Sequence, residues 1–123
     1  MILDRLFRFA VRMKETNGLI GFAEVDVNLW THRTGWVAIG IGEESAHGKG
    51  LAEEAMVCLL NHCFHELNLH RVQLTVFSYN IAAINLYEKL GFKKEGTYRE
   101  FTERNGRRHN MYLYGMLRPE WKS

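Results

Sequence analysis

His47-Gly48-Lys49-Gly50-Leu51-Ala52 joins the apolar run Trp36-Val37-Ala38-Ile39-Gly40-Ile41 to a stretch where Ala52, Met56, Leu59, Leu60, Cys63 and Leu67 recur at helical spacing. The run is near-continuously apolar, which predicts a strand buried on both faces. The recurrence predicts an amphipathic helix of about four turns, closed at Asn68. A strand that feeds a glycine turn into a helix start makes an anion site, because bare backbone N–H groups and the positive end of the helix dipole converge there. Arg71 to Phe77, rich in β-branched and apolar residues, follows as a central strand. Such a strand-helix-strand unit has to be a parallel, right-handed crossover.

The flanks are simpler. Phe7, Phe9, Val11 and Met13 alternate with polar or small residues, the pattern of a half-exposed strand. Asn17-Gly18 predicts a tight hairpin turn, and Leu19 to Asp26 the returning strand. Beyond the central strand, Ala83, Leu86, Tyr87 and Leu90 share one face of a second helix from about Ile81 to Leu90, with Gly91 as its C-terminal cap. Phe92 to Thr102 and Arg107 to Leu117 read as two strands joined at Asn105-Gly106. The expected fold is α+β: a mixed, mostly antiparallel sheet around one parallel strand-helix-strand unit.

At 123 residues, with 46% hydrophobic and 24% charged residues, the chain is expected to be one domain, residues 1–123. No apolar run approaches the ~18 residues needed to cross a bilayer, and Asp4, Arg5 and Arg8 interrupt the start. Membrane association and export are therefore not expected, and the cytoplasm is the expected compartment. A formal charge of +2 without a basic stripe argues against nucleic acid. Arg104, Arg107 and Arg108 surround the Asn105-Gly106 turn, where charges are ordinarily just solvated. Cys58 and Cys63 are five apart on one helix, which puts them on different sides and suits reduced thiols. Cys58, His62 and His65 fall at i, i+4 and i+7, yet zinc would want a fourth ligand that no spacing supplies, so no metal is expected.

The glycine turn fails two nucleotide patterns on spacing. Glu53 stands where a dinucleotide fingerprint needs its third glycine, and a Walker loop needs more residues before its Gly-Lys pair. Taken alone, Gly48 and Gly50 could simply let the chain turn. A second segment changes the weighing: Asn80 is followed seven residues on by Tyr87, and then by Gly91-Phe92. Together the two segments resemble the GNAT superfamily of N-acetyltransferases. Its pyrophosphate loop reads Gln/Arg-x-x-Gly-x-Gly/Ala, matched here at Gly50 and Ala52, with His47 at the first position. The resemblance runs from about Phe7 to Trp121. Leu69 to Leu74 and the tail from Glu95 to Leu117 look like the branch acting on ribosomal-protein N-termini and polyamines. Relative to that family, one strand and two helices that usually wall the acceptor pocket are expected to be missing at the N-terminus, leaving a sheet edge open to another chain and hence to a homodimer.

The resemblance implies a GNAT-like fold and a chain that moves an acetyl group from acetyl-CoA directly to a primary amine, either a peptide or protein N-terminus or a small molecule. It implies that the amides from Gly48 through Gly50 and Leu51 to Ala52 cradle the diphosphate, with His47 in the loop and Lys49 adding a point charge. Ile39, Gly40 and Ile41 would flank the pantetheine arm, one backbone N–H polarising the thioester carbonyl. Asn80 would fix the arm, although helix capping explains it equally well. Tyr87 would protonate the departing thiolate, although a core aromatic on the helix face is the alternative. As base, Glu24 on the second strand and Glu43 or Glu44 beyond the third could reach the cleft, with a backbone carbonyl or a water chain as the alternative. A coenzyme-A-binding module without catalysis is the competing reading, and an interaction domain with a purely structural glycine turn is a third.

Overall fold

The computed structural model describes residues 5–41 and 50–122. Six strands form one sheet in the order β1-β2-β3-β4-β6-β5: β1 Leu6–Arg12, β2 Leu19–Leu29, β3 Thr34–Ile41, β4 Arg71–Phe77, β5 Lys93–Arg104 and β6 Arg107–Leu117. Only β3 and β4 run parallel; the other neighbours are antiparallel. The expected mixed sheet around one parallel unit is therefore present. The β1–β2 connection is longer than the predicted tight turn. Asn17 donates to the Met13 carbonyl at 2.8 Å and Met13 to that of Gly18 at 2.9 Å, and the register slips between Val11 and Arg12. At the other hairpin Asn105 and Gly106 both take positive φ, 53° and 75°, the geometry an Asn-Gly pair supplies at least strain.

Helix α1 spans Leu51–Asn61 and α2 spans Ile81–Leu90. The first was expected to continue as a regular helix toward Asn68. Instead it passes at His62–Glu66 into a π-helical turn, in which Leu67 donates to the His62 carbonyl at 2.9 Å. The wider turn brings the adjacent residues Cys63 and Phe64 into the core together, both fully buried. Asn68 then ends the segment at φ 55°.

Both helices lie on one face of the sheet. Met56, Leu59, Leu60 and Tyr87 share a core with Val25, Val37, Val72, Leu74, Val76, Tyr114 and Met116, and Lys89 of α2 pairs with Glu53 of α1 at 2.8 Å. The opposite face is not covered by any described helix. The expectation that β3 is buried on both sides is corrected accordingly: Val37 is buried while its neighbour Ala38 is exposed. Small residues rather than a second layer account for the apolar appearance of that run.

Candidate active site

The parallel ladder is short. It pairs Thr34 with Arg71, Gly35 with Val72 and Trp36 with Gln73, and then stops. β4 nevertheless stays with β6 as far as Phe77–Met111, and β3 with β2 as far as Gly21–Ile41. Each strand follows its antiparallel partner, so beyond Trp36 and Gln73 the two part company. At the foot of this fork the Arg71 guanidinium donates to Gln73 Oε1 at 2.7 and 2.9 Å and to Glu95 Oε2 at 3.0 Å. The hydrogen bond from Arg71 holds the Glu95 carboxyl below its ordinary range, and Glu95 in turn raises the guanidinium.

Helix α1 packs against β2 and β3. Gly50 has φ 72°, a region that L side chains rarely adopt, and a Cβ built there meets nothing within 4 Å. The first helical bond runs from Glu54 N–H to the Gly50 carbonyl at 3.0 Å. The amides of Leu51, Ala52 and Glu53 thus precede the reach of the helical ladder and point out of the helix start. Of the loop residues expected to bind an anion, Gly50, Leu51 and Ala52 are in these positions. His47, Gly48 and Lys49 lie outside the described residues, as do Glu43 and Glu44.

Helix α2 starts at Asn80, whose Oδ1 accepts from the Ala83 amide at 3.2 Å. The capping function is real, and it leaves the Asn80 Nδ2 donors unengaged among the described residues. One turn before the C-terminal cap, Gly91 at φ 107°, stands Tyr87. Its ring meets Phe92 edge-on at 5.8 Å between centroids, and it is 9% exposed. No buried side-chain oxygen or nitrogen among the described residues lacks a partner. Among the described residues the Tyr87 hydroxyl has no hydrogen-bond partner. Desolvation raises its pKa above the ordinary tyrosine value, which keeps the phenol protonated at neutral pH. It belongs to the same core cluster as Val37, Leu74 and Val76, the helix-side residues flanking the fork.

Ile39, Gly40 and Ile41 lie on the β3 side of the fork, paired to Ala23, Phe22 and Gly21 of β2. A Cβ at Gly40 would meet the Phe22 ring at 2.6 Å, and one at Gly21 would collide with the Gly40 carbonyl oxygen. Glu24 stands on the uncovered face, opposite Ala38 in the ladder. Arg8 grips its Oε2 through two nitrogens, at 2.8 and 3.0 Å, so that carboxylate is already engaged. A cavity of about 630 Å³ lies elsewhere, between the β1–β2 hairpin and α1, lined by Phe9, Ile20, Leu51, Cys58, Leu59 and His62 among others. It meets the start of α1 at Leu51 but does not run along the fork. Cys58 is exposed and Cys63 buried, both free, and no metal-binding group of three His, Cys, Asp or Glu occurs among the described residues.

Residues 2–93 match the family model described as "Acetyltransferase (GNAT) domain". The chain belongs to the GNAT acetyltransferase family. It is 34% identical over 115 residues to the N-acetyltransferase p20 of Bacillus licheniformis, itself uncharacterised, covering 93% of this chain and 64% of that one. It is 39% identical over 101 residues to the spermidine N(1)-acetyltransferase of Vibrio cholerae, covering 81% of this chain and 57% of the relative. A dodecameric structure of the V. cholerae spermidine N-acetyltransferase superposes with a TM-score of 0.85 at 32% identity, covering 94% of this chain and 66% of that one. The chain thus spans 64% of the length of p20. In this GNAT chain the family model takes in β1 to β4 and both helices.

Sequence reading missed several contributors. The Arg71–Gln73–Glu95 clamp joins two strands that are not neighbours in the sheet, and no local spacing announces it. Gly21 carried a weak signal, since glycine inside a strand marks close backbone approach.

Proposed function

We propose that the chain transfers an acetyl group from acetyl-CoA to a primary amine by direct attack. The observation that carries this reading is the end of the β3–β4 ladder at Trp36–Gln73 beside a helix that starts from a left-handed glycine. In this reading the amides at the start of α1 hold the diphosphate, and the pantetheine arm enters the fork along Ile39, Gly40 and Ile41. A β3 amide polarises the thioester carbonyl. The Asn80 carboxamide donates to the arm through Nδ2 while its Oδ1 caps the helix.

The amine nitrogen attacks the thioester carbonyl carbon, the C–N bond forms and the C–S bond breaks. Tyr87 gives its hydroxyl proton to the departing thiolate, and the proton lost by the amine leaves through water toward Glu43 rather than toward Glu24, which Arg8 occupies. Neither cysteine is needed as a nucleophile. The acceptor is a peptide N-terminus or a small-molecule amine. No described helix is long and apolar enough to cross a membrane, and the reduced thiols suit a cytoplasmic setting. The outer edge of β1, with Leu6 53% and Phe9 39% exposed, offers itself to a second copy as a homodimer contact.

The test is turnover of acetyl-CoA with a panel of amines, followed as free thiol. Acetylation of an amine supports the reading. Binding of coenzyme A without turnover of any amine favours the non-catalytic module, and absence of coenzyme binding leaves the structural glycine turn.

A further inference from the structure

We infer that the amine acceptor carries a carboxylate, held by Arg104 and Arg107 on the uncovered face of the sheet; this rests on the acetyltransferase reading above. The two helices close one side of the fork. Its other side is bordered by Ala38 and Gly40 of β3 and by Thr75 and Phe77 of β4, all on the face opposite the buried Val37, Leu74 and Val76. An acceptor arriving from solvent meets the fork across that face.

The charges on this face are unevenly satisfied. Toward β1 and β2, Asp26 and Glu24 are each closed by an arginine, Arg5 and Arg8, at 2.8 Å. Among the described residues, no unpaired carboxylate of β1 or β2 remains on this face to hold a second ammonium group. Toward the β5–β6 hairpin the opposite holds. Phe77 stacks on Tyr79 at 5.3 Å and 16°, His109 meets the Tyr79 ring edge-on at 4.9 Å, and the Arg104 guanidinium lies over the same ring at 4.4 Å. Arg104 and Arg107 are directly opposite in the ladder, and neither forms an ion pair among the described residues. Glu103 is opposite Arg108 and reaches it at 3.4 Å; strand alternation points that pair to the other face. The Glu100 carbonyl accepts two bonds from Arg108, and its side chain is exposed.

An aromatic relay thus leads from the rim of the fork to a cation held in place by a ring. Stacking pre-orders the Arg104 fork for a planar carboxylate. The same pair of like charges repels a polyamine.

The test compares two amidated dipeptides, alanyl-glutamate and alanyl-glutamine, with spermidine as third acceptor, at saturating acetyl-CoA. The two peptides share one N-terminus and differ in a single carboxylate. The expected result is a roughly tenfold higher kcat/KM for the glutamate peptide, carried by KM and weakened by salt. The double variant R104Q/R107Q is expected to bring the two peptides within about twofold of each other, whereas Arg108→Gln, on the far face, keeps the preference. Equal use of both peptides, preference for spermidine, or a preference that survives R104Q/R107Q overturns this inference and leaves the acetyltransferase reading intact. No turnover of any of the three acceptors, nor of the wider amine panel, overturns both.

Discussion

Trp36 of β3 and Gln73 of β4 are the last residues these two strands share. Above them β3 continues its ladder with β2 and β4 its ladder with β6, so the sheet is continuous at its foot and forked at its top. Gln73 is itself fixed by Arg71, which reaches across to Glu95 of β5. The fork therefore has a rigid base, and the proposed chemistry is referred to it.

Tyr87→Phe removes the proposed proton donor and leaves the ring packed against Phe92. The expected loss is about 10²-fold or more in kcat, the scale of a positioned general acid. The KM for acetyl-CoA should hold within about twofold, since the phenol acts on the leaving group rather than on the bound donor. Steady-state kinetics with the best acceptor checks this, and an unchanged kcat would return Tyr87 to a purely packing role.

Asn80 is assigned two tasks that different substitutions separate. Asn80→Ser keeps an oxygen for the Ala83 amide and should leave stability within about 0.5 kcal/mol. It removes the carboxamide donors, so the KM for acetyl-CoA should rise. Asn80→Ala loses both and should also cost about 1 kcal/mol of stability. Equal KM values for wild type and the serine variant would show that the residue is a cap alone.

Gly21→Ala places a methyl group against the Gly40 carbonyl oxygen. Backbone cannot swing aside as a side-chain tip can, so a loss of about 2 kcal/mol or more is expected. Gly40→Ala meets the Phe22 ring instead, which is exposed enough to turn, and should cost less. Urea denaturation of both variants ranks them.

The carboxyls of Asp26, Glu95 and Glu120 all titrate below their ordinary values in the folded chain, each chiefly through a hydrogen bond from Arg5, Arg71 or Lys93 respectively. A lowered folded pKa stabilises the fold above the unfolded value and is lost as pH falls through the folded one. The fold is therefore expected to weaken as pH drops below about 4.5, the ordinary glutamate value. Glu95→Gln should flatten part of that decline while costing stability at neutral pH. Melting temperatures recorded from pH 7 to about 3 test the sign.

The two thiols should differ sharply. Cys63 is fully buried and its pKa is pushed up to about 12 by desolvation, whereas Cys58 is exposed. An aromatic disulfide reagent is expected to titrate one thiol in the native protein and two in guanidinium chloride. Two fast equivalents in the native state would contradict the packing around the π-helical turn.

Much of the fold was readable in advance where local rules act strongly. β4, α2 and β6 occupy the ranges expected of them, because Asn80, Gly91 and the Asn105-Gly106 pair mark their ends with cap and turn chemistry. The helical pattern missed Phe64, since a π-turn inserts a residue and brings two consecutive side chains to one face. Trp36 to Ile41 looked two-sided because Ala38 and Gly40 are apolar without needing cover. Arg104, Arg107 and Arg108 looked like one solvated group; register separates them, sending Arg104 and Arg107 to one face and Arg108 to the other.

From the residues alone follow the order of elements, their caps, the glycine start of the first helix and the motif spacing from Asn80 to Phe92, because these depend on contacts within a turn or along one strand. The tertiary structure decides where β3 and β4 separate, which face stays uncovered, and that Glu24 is taken by Arg8, 16 positions away. Those outcomes depend on which strand edges meet and in what register. That choice is made by burying one shared core, and short-range pattern carries no record of it.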